Sequence, residues 1–327
     1  MTVLVTGSSG HLGEALMRTL QAQRREIIGI DVQPGAFTHQ VGSIADRAFV
    51  HRCMKGVTTV LHTATLHKPH VATHSRQDFV DVNITGTLNL LEEAATAGVT
   101  AFVYTSTTSV FGDALVPPPG EPAAWITEDV PAVPKNIYGV TKAAAEDLCQ
   151  LFARNHSLRA TVLRTSRFFP EEDDNRATRE AYTDANIKTN EFLYRRVDIE
   201  DVVSAHLLAA DHAPSGGFAK YIISATTPFS RHDAAELRSN TPLVVRRYVP
   251  DYEAEFARRG WRMLPGFDRV YVNDRARAEL GWQPRHDFRA LMARLRAGED
   301  IRSPLAREVG SKGYHDRAFR EGPYPVA

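Results

Sequence analysis

The chain has 327 residues, of which 43% are hydrophobic and 24% are charged, and its formal net charge is zero. This length allows one large domain or two smaller ones. The balanced charge gives no electrostatic reason to bind nucleic acid, and no apolar run approaches the ~18 residues that cross a bilayer. We therefore expect neither nucleic acid nor a membrane as a partner.

Cysteine content and the first residues of the chain bear on the compartment. Cys53 and Cys149 are the only cysteines, which is too few for a disulfide framework and favours reduced thiols. The first residues enter an apolar strand pattern at once, without the basic and apolar regions of a signal peptide. The expected location is the cytoplasm.

The first half of the chain alternates short apolar runs with helical patterns. The predicted strands are Val3–Thr6, Glu26–Ile30, Thr59–His62, Ala101–Ser106 and Ala160–Arg164. The predicted helices lie near Leu12–Gln23, Ile44–Met54, Asp78–Ala97 and Tyr138–Asn155. Short apolar strands that alternate with helices predict an α/β fold, a doubly wound parallel sheet of the Rossmann type.

A glycine-rich turn follows the first predicted strand. Gly7, Gly10 and Gly13 open a helix there, which is the context that a dinucleotide pyrophosphate requires. Asp31 ends the second strand, where a carboxylate can accept both ribose hydroxyls. That carboxylate would repel a 2′-phosphate, so the predicted cofactor is NAD rather than NADP.

A long polar stretch separates Gly112 from Asn136 and contains the run Pro117–Gly120. It lies between a predicted strand and a predicted helix, beside the expected active site. Loops of this length are often functional, but a solvent-exposed connector explains the composition equally well. Both interpretations stay open.

Tyr138 and Lys142 are four positions apart on a predicted helix, so their side chains share one face. Two unit charges ~4 Å apart at an effective dielectric near 20 interact by about 4 kcal/mol. That energy equals roughly three pKa units, enough to bring the pKa of a phenol towards neutrality. The pair is therefore a candidate for proton transfer coupled to hydride transfer.

After Arg164 the alternation weakens, and the last hundred residues are rich in Arg, Pro and aromatic residues. A helix near Ile199–Asp211 and a strand near Tyr221–Ser224 return to the sheet. We predict an NAD-binding domain over 1–165 and a smaller, interleaved C-terminal substrate lobe over 166–327. Within the lobe, 197–225 returns to the Rossmann sheet.

With these motifs in this order, the chain resembles the extended short-chain dehydrogenase/reductase family, in its NAD-dependent epimerase/dehydratase group. The segments that carry the resemblance beyond the glycine turn and the Tyr-x-x-x-Lys pair are 61–64, 82–87, 105–112 and 280–284. The resemblance covers most of the chain. It implies that Tyr138 is the general acid/base, that Lys142 lowers its pKa and holds the nicotinamide ribose, and that Thr107 hydrogen-bonds the reacting oxygen. Ser106 is the nearest competitor of Thr107.

The resemblance also implies a set of residues that contact NAD. Besides Tyr138 and Lys142, they are Gly7, Ser9, Gly10, His11, Leu12, Gly13, Asp31, Ser43, Ile44, Thr63, Ala64, Asn83 and Thr105.

Departures from the family pattern narrow the expected chemistry. Dehydratases of the group carry carboxylates at the catalytic strand end, whereas this chain has Thr108 and Ser109 there, so dehydration is disfavoured. The Asn expected at the start of the substrate lobe is replaced within 166–169, and 269–274 does not match the segment that binds a nucleotide diphosphate. A nucleotide-linked sugar is therefore in doubt.

Four side chains are candidate substrate contacts: His67, Thr108, Arg167 and Arg196. His67 belongs to a segment with His70 and His74, for which we expect a substrate-facing or exposed loop rather than a metal site. The arginines fit an anionic substrate, but the acidic run 171–174 offers them internal partners, so both interpretations stay open.

The predicted function is NAD-dependent hydride transfer at a carbinol or carbonyl carbon of a sugar or sugar-derived substrate. Epimerisation is the preferred outcome. The alternatives are a dehydrogenase or reductase of a small polyol, sugar or hydroxy compound, and a non-catalytic NAD-sensing protein. The resemblance also implies a homodimer built on the helices Asp78–Ala97 and Tyr138–Asn155, although ordinary packing on the sheet accounts for their apolar faces too.

Overall fold

A computed structural model describes residues 1–212, 214, 216–313, 315 and 319. Within these residues, the central feature is a seven-stranded, fully parallel sheet in the order β3-β2-β1-β4-β5-β7-β8. Its strands are β1 Thr2–Thr6, β2 Glu26–Asp31, β3 Gln40–Val41, β4 Val57–His62, β5 Ala101–Thr107, β7 Ala160–Thr165 and β8 Phe218–Ile223. The predicted doubly wound fold is confirmed.

Helices cover both faces of this sheet and build the rest of the molecule. They are α1 His11–Ala22, α2 Arg47–Cys53, α3 Arg76–Phe79, α4 Gly86–Ala97, α5 Ile137–His156, α6 Arg176–Ala181, α7 Asp184–Glu191, α8 Ile199–Asp211, α9 Ala234–Ser239, α10 Thr241–Tyr248, α11 Tyr252–Arg259, α12 Asp274–Glu279, α13 Phe288–Arg296 and α14 Pro304–Val309. Among the described residues, no helix is both long and apolar enough to cross a membrane.

Side chains alternate along each strand, so the sheet supplies two cores. Val5 and Val103 point to one face, where α1 and α8 pack. Leu4, Phe102 and Tyr104 point to the other, in a core shared with α2, α4 and α5. Because both faces are buried, the strands read as nearly continuous apolar runs.

The order of the strands reverses beside β1, because β2 pairs with one of its edges and β4 with the other. In open α/β sheets such a reversal leaves a crevice at the carboxyl ends of the strands. Thr6, Asp31, His62 and Thr107 are the last residues of β1, β2, β4 and β5. Every sheet-borne residue predicted for the site therefore lies along this edge.

Two segments differ from the predicted elements. The predicted helix over Asp78–Ala97 is divided, because a π-helical turn, Val80–Thr85, separates α3 from α4. The predicted loop 112–136 contains a short strand, β6 Ala124–Ile126, which pairs in parallel with β9 Arg269–Tyr271. This pairing lies far apart in sequence, so local patterns do not reveal it.

A further apolar cluster lies outside the main sheet, centred on Leu237, Val244, Phe256 and Phe267. It packs α9, α10, α11 and α13 together.

The chain then returns to the first helix through α14, which contacts α1 and α8. Arg18 of α1 pairs with Glu308 at 2.6 Å, and Glu14 pairs with Lys312 at 2.5 Å. The start and the last described stretch of the chain are thus held together.

Candidate functional site

The glycine-rich turn between β1 and α1 has no room for side chains at two positions. A Cβ on Gly13 would lie 1.8 Å from the carbonyl oxygen of Gly7. Gly7 has a φ of +73°, and a Cβ there would lie 2.8 Å from the amide nitrogen of Ala64. The close approach of α1 to β1 leaves the amides of the first helical turn directed at the crevice, where they can hold an anion.

Asp31 lies beside this turn at the end of β2. Its Oδ2 accepts a hydrogen bond from the amide of Ser9 at 3.0 Å, and its Oδ1 accepts one from the amide of Gln33 at 2.9 Å. The carboxylate is therefore fixed next to the glycine turn, as a ribose-binding acid must be.

Thr6 anchors the loop that follows β4. Its Oγ1 accepts hydrogen bonds from the amides of Thr63 and Ala64, both at 3.1 Å. Thr63 in turn donates its hydroxyl to the carbonyl oxygen of Thr6 at 2.6 Å. Both residues expected beside the cofactor are thus fixed against the glycine turn.

His62 lies beneath that loop and is fully buried. Its Nδ1 is 2.8 Å from Thr6 Oγ1 and its Nε2 is 3.0 Å from Thr87 Oγ1. The Thr87 hydroxyl donates to the carbonyl oxygen of Asn83, so it accepts from Nε2. Burial lowers the pKa of His62 well below its ordinary value. The ring is therefore a neutral structural link.

Asn83 lies inside the π-helical turn and is buried. Its Oδ1 accepts from the Thr65 hydroxyl and from the amide of Leu66, each at 2.8 Å, while its Nδ2 donates to Thr141 at 3.0 Å. π-Helical turns within α-helices frequently occur at functional sites. This one connects the loop after β4 to α5.

Ser43 and Ile44 follow β3, at the far end of the crevice. The Ser43 hydroxyl accepts from the amide of Ala45 at 3.1 Å, and the carbonyl oxygen of Ile44 accepts from Asn89 at 3.0 Å. Leu12 is buried in the core beneath α1. These residues shape the crevice through the backbone.

Tyr138 and Thr107 meet at the carboxyl end of β5. The two side chains are close enough for Thr107 to influence the acidity of the phenol, and both are largely buried, with 7% and 9% of their surface exposed. Lys142 lies one turn along α5, where its Nζ donates to the carbonyl oxygen of Thr105 at 2.6 Å. The structure therefore brings together the three side chains that the sequence predicted for proton transfer.

The pKa values of Tyr138 and Lys142 differ from those expected from the attraction between two unit charges alone. Burial raises the pKa of Tyr138 to about 12, and the hydrogen bond with Thr107 opposes that rise. Burial lowers the pKa of Lys142 to about 7, while the charge of Glu146 opposes that fall. The expected lowering of the Tyr138 pKa is not seen, because burial of the phenol disfavours its charged form.

Ser106 points away from Tyr138. Its hydroxyl donates to Glu146 Oε1 at 2.6 Å, inside the core. Arg164 completes this buried cluster by pairing with Glu146 Oε2 at 2.7 Å. This pair was not predicted from the sequence, although Glu146 lies four residues after Lys142 on the same helix face.

Thr105, in β5, and Thr108, directly after β5, lie in different surroundings. Thr105 Oγ1 is 2.7 Å from Nε2 of His206, a buried histidine of α8. Thr108 is buried at the start of a 3₁₀ helix, Thr108–Leu115. Thr105 therefore faces the α8 side of the sheet.

His67 lies close to Tyr138, with their ring centroids 6.1 Å apart. Burial lowers the pKa of His67 to about 3, so its ring is neutral at physiological pH. It precedes a short 3₁₀ helix, Lys68–Ala72, which also carries His70. Among the described residues, no group of three or more His, Cys, Asp or Glu side chains is arranged to hold a metal ion.

Arg167 and Arg196 both have acidic partners within the protein. Arg167 pairs with Asp173 at 2.5 Å and with Glu191 at 3.0 Å. Arg196 pairs with Glu191 at 2.8 Å. The three guanidinium groups of Arg167, Arg195 and Arg196 hold the pKa of the buried Glu191 carboxyl at about 2. Internal ion pairing accounts for these residues.

Comparison with known proteins gives the site its context. Residues 3–223 match the model of the NAD dependent epimerase/dehydratase family. The chain is 26% identical to a UDP-glucose 4-epimerase of Azospirillum brasilense, over 95% of this chain and 94% of that one. It is 34% identical to a sterol demethylase protein B of Methylococcus capsulatus, over 45% of each.

A solved structure agrees with the fold. A short-chain dehydrogenase/reductase superfamily protein from Agrobacterium tumefaciens, with bound NAD, superimposes with a TM-score of 0.66 at 23% identity. The superposition covers 94% of this chain and 97% of that one. By contrast, the chain spans less than half the length of the first curated relatives that it matches, 40% and 45%.

Proposed function

Because the chain belongs to the NAD-dependent epimerase/dehydratase family, we propose that it transfers hydride between NAD and a carbinol or carbonyl carbon, with Tyr138 as the proton-transfer residue. The observation that supports this proposal most strongly is the grouping of Tyr138, Thr107 and Lys142, all largely buried, at the carboxyl edge of the sheet. NAD is the cofactor of the family, and the glycine turn and Asp31 fit its pyrophosphate and ribose.

The three side chains have separate roles in this proposal. Tyr138 accepts the proton of a substrate hydroxyl, or returns one to a carbonyl, as hydride moves to or from the cofactor. Thr107 holds the reacting oxygen beside the phenol. Lys142 is a positively charged neighbour and a donor to the ribose, and Glu146 supports its charged form.

The outcome of the transfer follows from what happens to the intermediate ketone. We propose epimerisation, in which hydride returns to the opposite face, on a ring carbinol of a sugar or sugar-derived substrate. The similarity to a UDP-glucose 4-epimerase supports this choice. Similarity to a 3-beta-hydroxysteroid dehydrogenase of Mycolicibacterium neoaurum, 26% identical over 86% of this chain and 87% of that one, supports the alternative, a dehydrogenase or reductase of a hydroxy compound. Thr108 and Ser109 provide no carboxylate for dehydration.

Tyr138→Phe tests the proposal directly. General acid–base catalysis contributes ~10²–10⁴-fold, so kcat should fall by about that factor while NAD binding measured by calorimetry is retained. Tyr252→Phe is the matched control, because Tyr252 is a buried tyrosine of α11, outside the crevice.

A panel of sugars, polyols and other hydroxy compounds is incubated with the protein and NAD. Each reaction is then assayed for net NADH and for inversion of configuration. Net NADH identifies a dehydrogenase, and inversion without NADH identifies an epimerase. Unchanged turnover in Tyr138→Phe would refute the assigned role. Tight NAD binding without turnover across the panel would leave an NAD-sensing protein as the answer.

We further propose a homodimer in a reducing compartment, the cytoplasm. Val140 and Leu151 of α5 leave 47% and 38% of their surface exposed, which supports an apolar contact between copies of this helix. Cys53 and Cys149 are both buried free thiols, which supports a reducing environment. Sedimentation of the purified chain tests the dimer.

A further inference from the structure

A cavity of about 440 Å³ lies between the start of α1 and the helices of the C-terminal lobe. Its volume falls in the ~300–1,000 Å³ range of small-molecule sites. Its apolar walls are formed by Phe168, Phe169, Phe192, Trp261, Leu295 and Ile301. His11, in the glycine-rich turn, lines the end nearest the cofactor crevice. His11 also contributes to lowering the pKa of His67, the neighbour of Tyr138, so the two regions are close.

The cations on the α7 side of the cavity are already neutralised. Lys188 donates to Asp184 at 2.6 Å and to the carbonyl oxygen of Pro170 at 2.5 Å. Arg196 donates to Glu191 at 2.8 Å and to the carbonyl oxygen of Phe169 at 3.1 Å. A diphosphate placed here would have to compete with these carboxylates for its counter-charges.

The opposite wall follows the same pattern. Arg259 donates to Glu255 at 2.6 Å, and Arg302 donates to Asp300 at 2.6 Å. Asp198 accepts hydrogen bonds from the amides of Glu200 and Ser303 at 2.8 and 3.2 Å. The ionised groups of both walls thus have protein partners, so the cavity offers an uncharged ligand the better fit.

His11 is different, because its polar atoms have no such partner. Its Nδ1 and Nε2 are buried and, among the described residues, form no hydrogen bond. The ring stacks on Phe168, with centroids 5.8 Å apart and planes 13° apart. Burial lowers the pKa of His11 to about 4, so the ring is neutral near pH 7. It can therefore donate one hydrogen bond and accept another.

We propose that this cavity holds the non-reacting part of the substrate, that this part is uncharged and mainly apolar, and that His11 hydrogen-bonds one of its few oxygen atoms. This inference rests on the proposed function, because it deepens the substrate class of the same enzyme. The cavity favours, as the substrate, a neutral ring alcohol whose non-reacting part is apolar over a nucleoside diphosphate sugar. A free polyol fits less well, because its many hydroxyls would meet only one unpartnered side chain.

Calorimetry with three probes in saturating NAD tests the class of ligand. Phenyl α-glucoside and UDP-glucose share an α-linked glucose, and the group attached to it is neutral in the first and charged in the second. A 3β-hydroxysteroid is an apolar ring alcohol. We expect at least one neutral probe to bind roughly tenfold or more tightly than UDP-glucose. Tighter binding of UDP-glucose, or binding of neither neutral probe, overturns the inference.

A cavity-filling variant locates the ligand. Ala306 lines the cavity, so Ala306→Trp should weaken the neutral probe by roughly tenfold or more and leave NAD affinity within about twofold. Ala181→Trp is the matched control, because Ala181 is exposed at the end of α6. Equal effects of the two variants would overturn the assignment of the cavity.

His11→Phe keeps an aromatic ring and removes the two nitrogens. The loss of one hydrogen bond should weaken the binding of the neutral probe to the NAD-saturated protein roughly five- to tenfold. An unchanged affinity for the neutral probe would overturn the role of His11 in the cavity.

The two proposals fail separately. Turnover of UDP-glucose that requires Tyr138 would leave the hydride-transfer chemistry standing and overturn the cavity assignment. Conversely, suppose that a neutral probe binds, that Ala306→Trp blocks this binding, and that neither NADH nor inversion is observed. That result would leave the cavity assignment standing and overturn the hydride-transfer chemistry.

Discussion

Ser106 and Thr107 are adjacent hydroxyl residues that face different surroundings. The hydroxyl of Ser106 donates to the buried carboxylate of Glu146 inside the core, whereas Thr107 influences the acidity of Tyr138 at the strand end. The family resemblance assigned the catalytic role to Thr107 and kept Ser106 as its competitor. These surroundings support Thr107.

Substitution separates the two hydroxyls. Thr107→Val should lower kcat by ~10²–10³-fold, the usual loss when one donor to a reacting oxygen is removed, and Thr107→Ser should restore most of it. Ser106→Ala should instead lower the free energy of unfolding by ~1.5–3 kcal/mol, because a buried carboxylate loses a donor. Steady-state kinetics and urea unfolding measure the two effects. A kinetic loss confined to Ser106→Ala would reverse the assignment.

The site residues could be predicted where their roles depend on their spacing along the chain. Tyr138, Lys142 and the three glycines follow from spacing along one helix or one turn. The acidic run 171–174 was expected to offer partners to the arginines, and Asp173 and Asp174 do pair with Arg167. The pairing of Arg167 with Glu191 was not predictable, because 24 residues separate the two and they meet only in the folded structure. The pKa of Tyr138 also depended on burial, which a pairwise charge argument omits.

Among the elements, the turn between β1 and α1 has the least tolerance for change. Gly13→Ala places a Cβ 1.8 Å from a backbone oxygen, so the turn must move. We expect NAD affinity to fall by at least about tenfold, equivalent to ~1.4 kcal/mol. Gly216→Ala is the control, because a Cβ there meets nothing within 4 Å. Calorimetry measures both, and equal affinities would contradict a rigid turn.

Two of the features that the sequence did not reveal share one cause. The pairing of β6 with β9 joins Ala124 to Arg269, and neither three-residue strand carries a pattern of its own. The π-helical turn is fixed by the hydrogen bonds of Asn83 to Leu66 and Thr141. In both places tertiary contacts decide the local structure, whereas the long strands of the main sheet carried their own periodicity.

At the scale of the whole molecule, four buried or half-buried histidines make stability depend on pH. Burial lowers the pKa of His11 and His206 to about 4 and that of His67 to about 3, and it also lowers that of His62. The unfolded chain binds protons below about 6.5, while the folded chain does not until much lower pH. Their stabilising contribution is therefore complete above pH 6.5 and is lost as pH falls towards 4.

The expected size of this loss is about 1.4 kcal/mol per pH unit for each such histidine, well below pH 6.5. Urea unfolding from pH 7 to 4.5 measures it. His206→Gln should reduce the slope against pH, whereas His232→Gln should not, because His232 is exposed in the folded protein. Carboxyl groups with lowered pKa, such as Glu191, act only below about pH 4.3. A slope unaffected by His206→Gln would contradict this account.

The contacts of α1 with the last described stretch of the chain have a consequence during synthesis. Arg18 can pair with Glu308 only after 290 more residues have been synthesised, and Glu14 can pair with Lys312 only after 298 more. At ~5–20 residues per second, those partners follow α1 by roughly 15–60 s. During that time the nascent chain lacks these two ion pairs of α1. The rate of translation therefore sets how long α1 is without them.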